Sequence, residues 1–551
     1  MVNSLIQLLQ AETSRPWTFL ELGFWVFLAF VLIGFASLER KLALRNAYLM
    51  LVSWFFYYHT SQWYVVLLIF ATSVDFGVAH ALHRSDRPWL RRLLLALSIL
   101  SNLGVLFFFK YAYFAADLWN DLTGLAWNPT PFWAGWSNAS LGTDFVEDVI
   151  LLPVGISFYT FQCLSYTIDV YRRNLTPVAR FTDFAFYVSF FPQLVAGPIV
   201  RASDFVPQLY QSYRVTRAQF GLGLFWIING LLKKVILADF LAVHLVDRIF
   251  SQPTLYTGWE NALGLLAYTM QVYADFSGYT DIAIGIALWM GFTLAKNFDS
   301  PYKASSVGEF WKRWHMSLSS WLKDYLYIPL GGNRSGSVAS YLLIFAGLFG
   351  LALSATSPFV SYLLAGVVLV FLLLYQFIPV FRRGFNTNVN LMLTMLLGGL
   401  WHGASWNFMV WGGLNGLGLL AHKQWTRLRP YRVEGWMIRG LGVLITLLFI
   451  TFTRIWFRAP DWSTAMSIVN QLSTGWNVVP SLAMLAAWWR PALILAMGFA
   501  IHWIPERYKA WYRDRFANLN HFLLAGISLA AILLAYQFMA AESQPFIYFQ
   551  F

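Results

Sequence analysis

Thirty consecutive residues, Leu391 to Leu420 (LMLTMLLGGLWHGASWNFMVWGGLNGLGLL), contain no Asp, Glu, Lys or Arg, and their one ionisable side chain is His402. A helix needs about 20 apolar residues to cross the hydrocarbon core of a bilayer. This stretch is long enough to span, and a single crossing would put His402 near mid-depth. An ionisable group there is costly, usually faces a water-filled cavity or a partner, and marks a functional site by default. Gly398, Gly399, Gly403, Gly412 and Gly413 lie around it and allow another helix or a ligand to approach the backbone closely. The plain alternative is a histidine that only hydrogen-bonds between two packed helices.

The rest of the 551 residues agrees with a membrane reading: 58% are hydrophobic, 19% aromatic and only 12% charged, against about 25% charged in soluble domains. Soluble enzyme folds are excluded. The net charge of +12 is distributed in short basic clusters between apolar runs, the pattern of cytoplasmic loops and not of a phosphate-binding face. Nucleic acid is therefore not an expected partner. The 27 Trp and 27 Tyr suit the two membrane interfaces. Cys163 is the only cysteine, so no internal disulfide and no cysteine metal site are expected. The first apolar run lacks a basic leader and a small-residue cleavage site, so no signal peptide is expected.

Spans and charges alternate through the first half. Trp17–Leu38 is followed by Arg40, Lys41 and Arg45, which puts that end in the cytoplasm and the N-terminus outside. Asn46–Tyr58 returns, Trp63–Leu82 leads to HRSDRPWLRR (83–92), and Leu93–Tyr113 goes out to a loop at 117–148. The charges of that loop are all acidic: Asp117, Asp121, Asp144, Glu147 and Asp148. Ile150–Ile168 descends to YRRN (171–174). In FYVSFFPQLVAGPIVR (186–201) two prolines interrupt an apolar run, which predicts a broken or re-entrant segment enclosed by protein.

Leu222–Phe240 carries Lys233 and Lys234, and Leu263–Met290 carries Asp275 and Asp281 six positions apart, on different faces of a helix. These carboxylates are no obvious catalytic dyad; they cap half-helices or pair with lysines. Residues 296–334 are amphipathic and too polar to span, so Lys312, Arg313 and Lys323 would snorkel while Trp311, Trp314 and Trp321 lie in the interface. Apolar runs at 341–353 and 361–380 precede Arg382-Arg383 and the His402 stretch. Beyond it come a basic loop at 423–439, a span at Leu441–Ile455, an external loop at 459–488, a return at Pro491–Ile504, the basic PERYKAWYRDR (505–515), and a last exit at Phe522–Phe538. The sum is an all-α polytopic membrane protein of about a dozen transmembrane and re-entrant elements, with both termini outside. It shows no tandem repeat and no soluble extra domain.

The second informative histidine, His315 in RWHMSLSSW, is too far from His402 in sequence to meet it except through tertiary folding. No H-x-x-x-H spacing, serine elbow or phosphate loop is present, so no metal site is expected. A mid-membrane imidazole suits a general base that takes the proton of an alcohol as its oxygen attacks an acyl carbonyl. The competing reading is a proton relay or ion path in a transporter, for which matched internal repeats would be expected.

Five ordered segments carry a resemblance: LLPVGISFYTFQCLSYTIDVYRR (151–173), FFPQLVAGPIVR (190–201), YADFSGYTDIAIGIA (273–287), NFDSPYKASSVGEFWKRWHMSLSSWLKDYLYIPLGGNR (297–334) and GGLWHGASWNFMVWGGLNG (398–416). Together they resemble the membrane-bound O-acyltransferase family, most closely its bacterial branch of alginate O-acetyltransferase-like proteins, as does the terminal PFIYFQF (545–551). The resemblance covers about 45–420 and the C-terminus. It implies a single integral-membrane domain over 1–551, with a core at about 150–420 and peripheral helices at 17–113 and 441–540. The core would be a ring of helices thinned at its centre, with a funnel on each face meeting near His402.

By the same resemblance His402 is the catalytic base and His315 positions or polarises the acyl carbonyl near the cytoplasmic side. Lys312, Arg313, Lys323 and Asp324 would shape the donor entrance, and Trp314, Trp401, Trp406, Asn407 and Asp275 are further tunnel candidates. The donor would be acetyl-coenzyme A or another acyl thioester, with no permanently bound cofactor. The acyl group would cross the bacterial inner membrane to a hydroxyl of an exported polysaccharide, or to a periplasmic acetyltransferase partner. A low-dielectric pocket strengthens fixed dipoles around a developing oxyanion.

Plainer readings stand beside these. Trp401 and Trp406 fit packing or the interface, Asn407 and Asn415 fit helix–helix hydrogen bonds, and Asp275 and Asp281 fit structural caps. His59, His80, His83, His422, His502 and His521 fall near span ends. The alternatives for the whole chain are D-alanyl transfer to teichoic acid from a small carrier protein, a lipid acyltransferase with a lateral opening, and a transporter without bond chemistry.

Overall fold

The computed structural model describes residues 17–129, 135, 138–140, 152–212, 214–338, 340–342, 358–428, 435–476, 482–539 and 546. The sequence readings at 1–16, at Asp144, Glu147 and Asp148, over most of 341–353 and over PFIYFQF apart from Phe546 lie outside the described residues. All regular structure among the described residues is helical. Among the described residues six helical stretches can cross a membrane by length and composition: Leu42–Arg84, Pro88–Thr123, Arg217–Ser251, Trp436–Arg458, Met484–Trp503 and His521–Phe538. The first of these is a pair, Leu42–Ser61 and Val65–Arg84, with Gln62 at φ 50° between them. The chain divides into two compact units, one comprising Met1–Asp299 and Met466–Phe551, the other Ser300–Ala465.

In the first unit the helices Arg217–Leu232 and Gly258–Trp289 pack backbone to backbone. A methyl at Gly230 would sit 2.3 Å from the Gly278 carbonyl oxygen, and one at Gly285 would sit 2.4 Å from that of Gly223. Small residues seven positions apart on each helix thus let the axes approach closely. After Leu232 the helix widens into a π-helical stretch, Lys233–Asp239. That geometry brings residues i and i+5 together, and Lys234 Nζ accordingly lies 2.7 Å from Asp239 Oδ1.

Lys234 also lies 2.8 Å from Asp275, while Lys233 meets Asp281 at 2.7 Å. The open alternative for the two aspartates therefore resolves to pairing with lysines. They stand inside the Gly258–Trp289 helix, so the cap reading is corrected. The interrupted 186–201 stretch is two short helices, Phe181–Ser189 and Phe191–Ala196, hinged at Phe190, with Phe184 to Leu194 fully enclosed. Arg45, counted with a basic loop, is instead buried inside a helix and donates to the Leu209 and Gln211 carbonyls at 2.7 and 3.0 Å.

In the second unit the expected single crossing at Leu391–Leu420 is corrected. The helix Pro379–His402 ends at His402, Gly403 is extended at φ −164°, and a second helix runs from Trp406 to Leu428. The two form a hairpin with almost no space between their backbones. A methyl at Gly399 would lie 2.3 Å from the Phe408 carbonyl oxygen, and one at Gly412 2.4 Å from that of Met395. His402 thus sits at a helix end beside a three-residue break, not in the middle of a span.

Two other readings change. Trp314 and Trp321 are buried, 2% and 6% exposed, and do not lie in an interface, because Tyr302 and Phe310 cover Trp314 and Tyr325 packs on Trp321. The loop at 459–488 contains a helix, Trp462–Thr474. Asp461 starts it by accepting the Thr464 backbone N–H at 2.7 Å, a cap that hydropathy does not register.

Candidate active site

Three helices and one short turn of the second unit converge on His402. The side chain is 3% exposed and enclosed by aromatic rings: Trp401 at 5.0 Å, Trp411 at 5.0 Å and Phe457 at 5.2 Å between centroids. Trp411 and Phe457 are themselves 4.9 Å apart, and Phe408 packs on Phe457 at 5.3 Å. Asn407 ties the start of the Trp406–Leu428 helix to the end of Trp436–Arg458 through a 3.1 Å hydrogen bond to the Ala459 carbonyl. That is the interhelical bond expected of it. Asn415 instead donates to Trp411 of its own helix at 2.8 Å, which corrects its interhelical reading.

Folding brings His315 to the same cluster. Its ring lies 6.0 Å from Trp401, whose ring is also 5.0 Å from His402, so the two imidazoles share contact with one indole. His315 is fully buried at the turn between the helices Val307–Arg313 and Met316–Leu322. Its backbone is left-handed, φ 44° and ψ 56°, a conformation that costs a non-glycine residue about 1–3 kcal/mol and recurs at functional sites. Burial pushes the imidazole down to about 3, so His315 is neutral at working pH.

Between about pH 3 and 6.5 the unfolded chain binds a proton there that the folded chain does not. Stability contributed by this residue therefore rises with pH across that window and is lost on acidification, by about 1.4 kcal/mol per pH unit. The variant His315→Asn, with a side chain that tolerates the left-handed backbone, should flatten the acid limb of a melting-temperature profile. An unchanged slope would remove His315 as its source.

The remaining candidates divide by position. Trp401 belongs to the cluster, Trp314 is buried beside it under Tyr302 and Phe310 and meets Arg454, and Trp406 points outward at 54% exposure. Lys312 and Lys323 are exposed, and Arg313 is held by Glu309 at 2.8 Å. Burial alone would raise the Glu309 carboxyl. The Ser305 N–H and hydroxyl, at 2.8 and 2.9 Å, and Arg313 outweigh it and hold it below the usual range. Asp324 is half-buried on the π-helical turn Lys323–Tyr327. Asp275 belongs to the first unit, where Lys234 engages it. No group of three His, Cys, Asp or Glu able to hold a metal occurs among the described residues.

Sequence reasoning missed Arg454. It is 1% exposed, and its guanidinium lies 4.5 Å over the Trp314 ring and 5.2 Å from that of Phe457. The signal was available, since an arginine inside the apolar run Leu441–Ile455 is itself a functional marker.

Residues 156–352 match the membrane-bound O-acyltransferase family. A probable alginate O-acetylase AlgI from Pseudomonas aeruginosa is 33% identical over 510 residues, 90% of this chain and 76% of that protein. A peptidoglycan O-acetyltransferase from Helicobacter pylori is 32% identical over 483 residues, 82% and 77% of the two chains. A teichoic acid D-alanyltransferase from Streptococcus thermophilus is 26% identical over 333 residues, 55% and 70%. With this likeness over most of its length and several helices long and apolar enough to cross a bilayer, the chain belongs to the membrane-bound O-acyltransferase family and is a multi-pass O-acyltransferase.

Proposed function

We propose that this acyltransferase takes an acetyl group from a cytoplasmic thioester, acetyl-coenzyme A or another carrier, and delivers it across the bacterial inner membrane for O-acetylation of an exported polysaccharide. Delivery is direct or through a periplasmic partner, and both termini are periplasmic. The carrying observation is that His402 and His315, both buried, contact the same Trp401 ring in an aromatic enclosure.

His402 is the general base. It takes the proton of the acceptor hydroxyl as that oxygen bonds to the carbonyl carbon; the carbon–sulfur bond then breaks, and the thiol leaves with the proton. His315, neutral and rigidly held, positions the acyl carbonyl. Lys312 and Lys323 are exposed cations suited to the phosphates of a donor. The acetylating relatives are more alike in sequence and overlap more of the chain than the D-alanylating one, which favours acetyl over D-alanyl.

Deleting the gene and measuring ester-linked groups on the exported polymer by mass spectrometry tests this. Loss of acetyl ester with the polymer still secreted is the expected result. Loss of D-alanyl ester would favour the teichoic acid reading, loss of the polymer itself would favour a transporter, and unchanged esters would overturn the proposal.

A further inference from the structure

Other buried cations among the described residues are compensated. Lys234 bridges Asp239 and Asp275, Lys233 meets Asp281, and Arg91 donates to the carbonyls of Leu82 and Tyr171. Arg454 differs. Its Nε is buried and donates no hydrogen bond, and among the described residues no carboxylate or carbonyl meets its guanidinium. What holds it is ring contact, with the Trp314 face at 4.5 Å and Phe457 at 5.2 Å.

A desolvated cation–π contact stabilises less than it costs to take a charged guanidinium out of water. Stacking on a ring also leaves the in-plane N–H groups of a guanidinium free to donate sideways. The folded chain therefore keeps a desolvated, anion-seeking group fixed in place.

Its position says which anion. His402 and the Arg454 guanidinium carbon each lie 5.2 Å from the Phe457 ring centre, so they are separated by no more than twice that distance. An acceptor oxygen hydrogen-bonded to the imidazole, a tetrahedral carbon, and its oxyanion hydrogen-bonded to a guanidinium together span roughly 8–10 Å. The upper bound set by the shared Phe457 contact is compatible with one tetrahedral centre reaching both groups.

We infer that Arg454 is the oxyanion-binding residue of this site, an assignment that rests on the acyl-transfer reading. As the acceptor oxygen bonds to the carbonyl carbon and its proton passes to His402, the carbonyl π pair moves onto oxygen, where Arg454 donates to it. When the carbon–sulfur bond breaks, that pair re-forms the carbonyl and the sulfur leaves with the proton from His402. Arg454 supplies charge where it develops, and His315 fixes the carbonyl's orientation.

The test uses the full chain in membranes and in detergent. Arg454→Met removes an uncompensated buried charge, so it should accumulate and melt no lower than wild type while polymer acetate falls 100-fold or more. Arg454→Lys should retain a small fraction of the activity. Methylphosphonate, a tetrahedral anion of acetyl size, should raise the melting temperature of wild type and not of Arg454→Met.

Three results would overturn the assignment: acetate retained in Arg454→Met, no thermal shift of wild type with methylphosphonate, or Arg454-dependent protection by coenzyme A alone, which would make Arg454 a donor-phosphate site. If Arg454→Met fails to accumulate, the wild-type methylphosphonate shift decides. If deletion of the gene leaves polymer acetate unchanged, the acyl-transfer reading falls; if deletion removes it and Arg454→Met keeps it, only the oxyanion assignment falls.

Discussion

Replacing His402 by glutamine is expected to lower ester acetate on the exported polymer by two to four orders of magnitude, with the protein still present in membranes at its normal level. The magnitude is that of a lost general base. The choice of glutamine follows from the enclosure: Trp401, Trp411 and Phe457 pack against the ring on three sides, and a truncation to alanine would leave a cavity that confounds stability with chemistry. Quantifying ester acetate against membrane protein separates the two. A glutamine variant that acetylates normally would show that His402 only packs. A variant that fails to accumulate would show that the imidazole holds the Gly403 break together.

The largest stability effect is expected at Lys234. Its side chain is 1% exposed and sits between Asp239 and Asp275, which are 8% and 4% exposed. Removing one partner of a buried ion pair costs about 3–5 kcal/mol, since the remaining charge stays desolvated, and here two carboxylates would be left. Lys234→Met should therefore abolish accumulation of the protein in membranes. The triple variant Lys234→Met with Asp239→Asn and Asp275→Asn removes the whole set of charges and should restore much of it. Quantitative immunoblotting of membrane fractions reads both. Normal accumulation of the single variant would show that water or lipid headgroups compensate the carboxylates.

These two sites show unequally what can be read from a sequence. His402 is visible because it is the only ionisable residue in thirty, and bilayer energetics make such a residue conspicuous whatever the fold. The break beside it is invisible to hydropathy, because Gly403, Ala404 and Ser405 are no more polar than the helices they separate. Lys233, Lys234, Asp275 and Asp281 are all evident as intramembrane charges, but their pairing follows from the contact of Gly223 and Gly230 with Gly285 and Gly278, which is tertiary information. Trp314 was misassigned because tryptophan's preference for membrane interfaces is a statistical tendency that Tyr302, Phe310 and Arg454 override by covering it. Arg454 stands in plain view inside the apolar run Leu441–Ile455, but nothing in that run shows that Trp314 and Phe457 fold against it.

The glycine-mediated contact between Arg217–Leu232 and Gly258–Trp289 also bears on how the protein enters the membrane during synthesis. Each lysine near the centre of a helix opposes insertion by about 2.5–3.5 kcal/mol, so two adjacent ones make the Lys233 and Lys234 segment a reluctant passenger of the translocation machinery. Asp239 accompanies Lys234 on the same segment, but Asp281 for Lys233 and the second partner of Lys234, Asp275, arrive on the next helix, and the Gly223–Gly285 and Gly230–Gly278 approaches bring the two backbones together. The pair is built to partition into lipid as one hairpin. Ribosomal pausing, or any insertion that delays emergence of Gly258–Trp289, would strand the first helix at the surface before Asp275 and Asp281 appear.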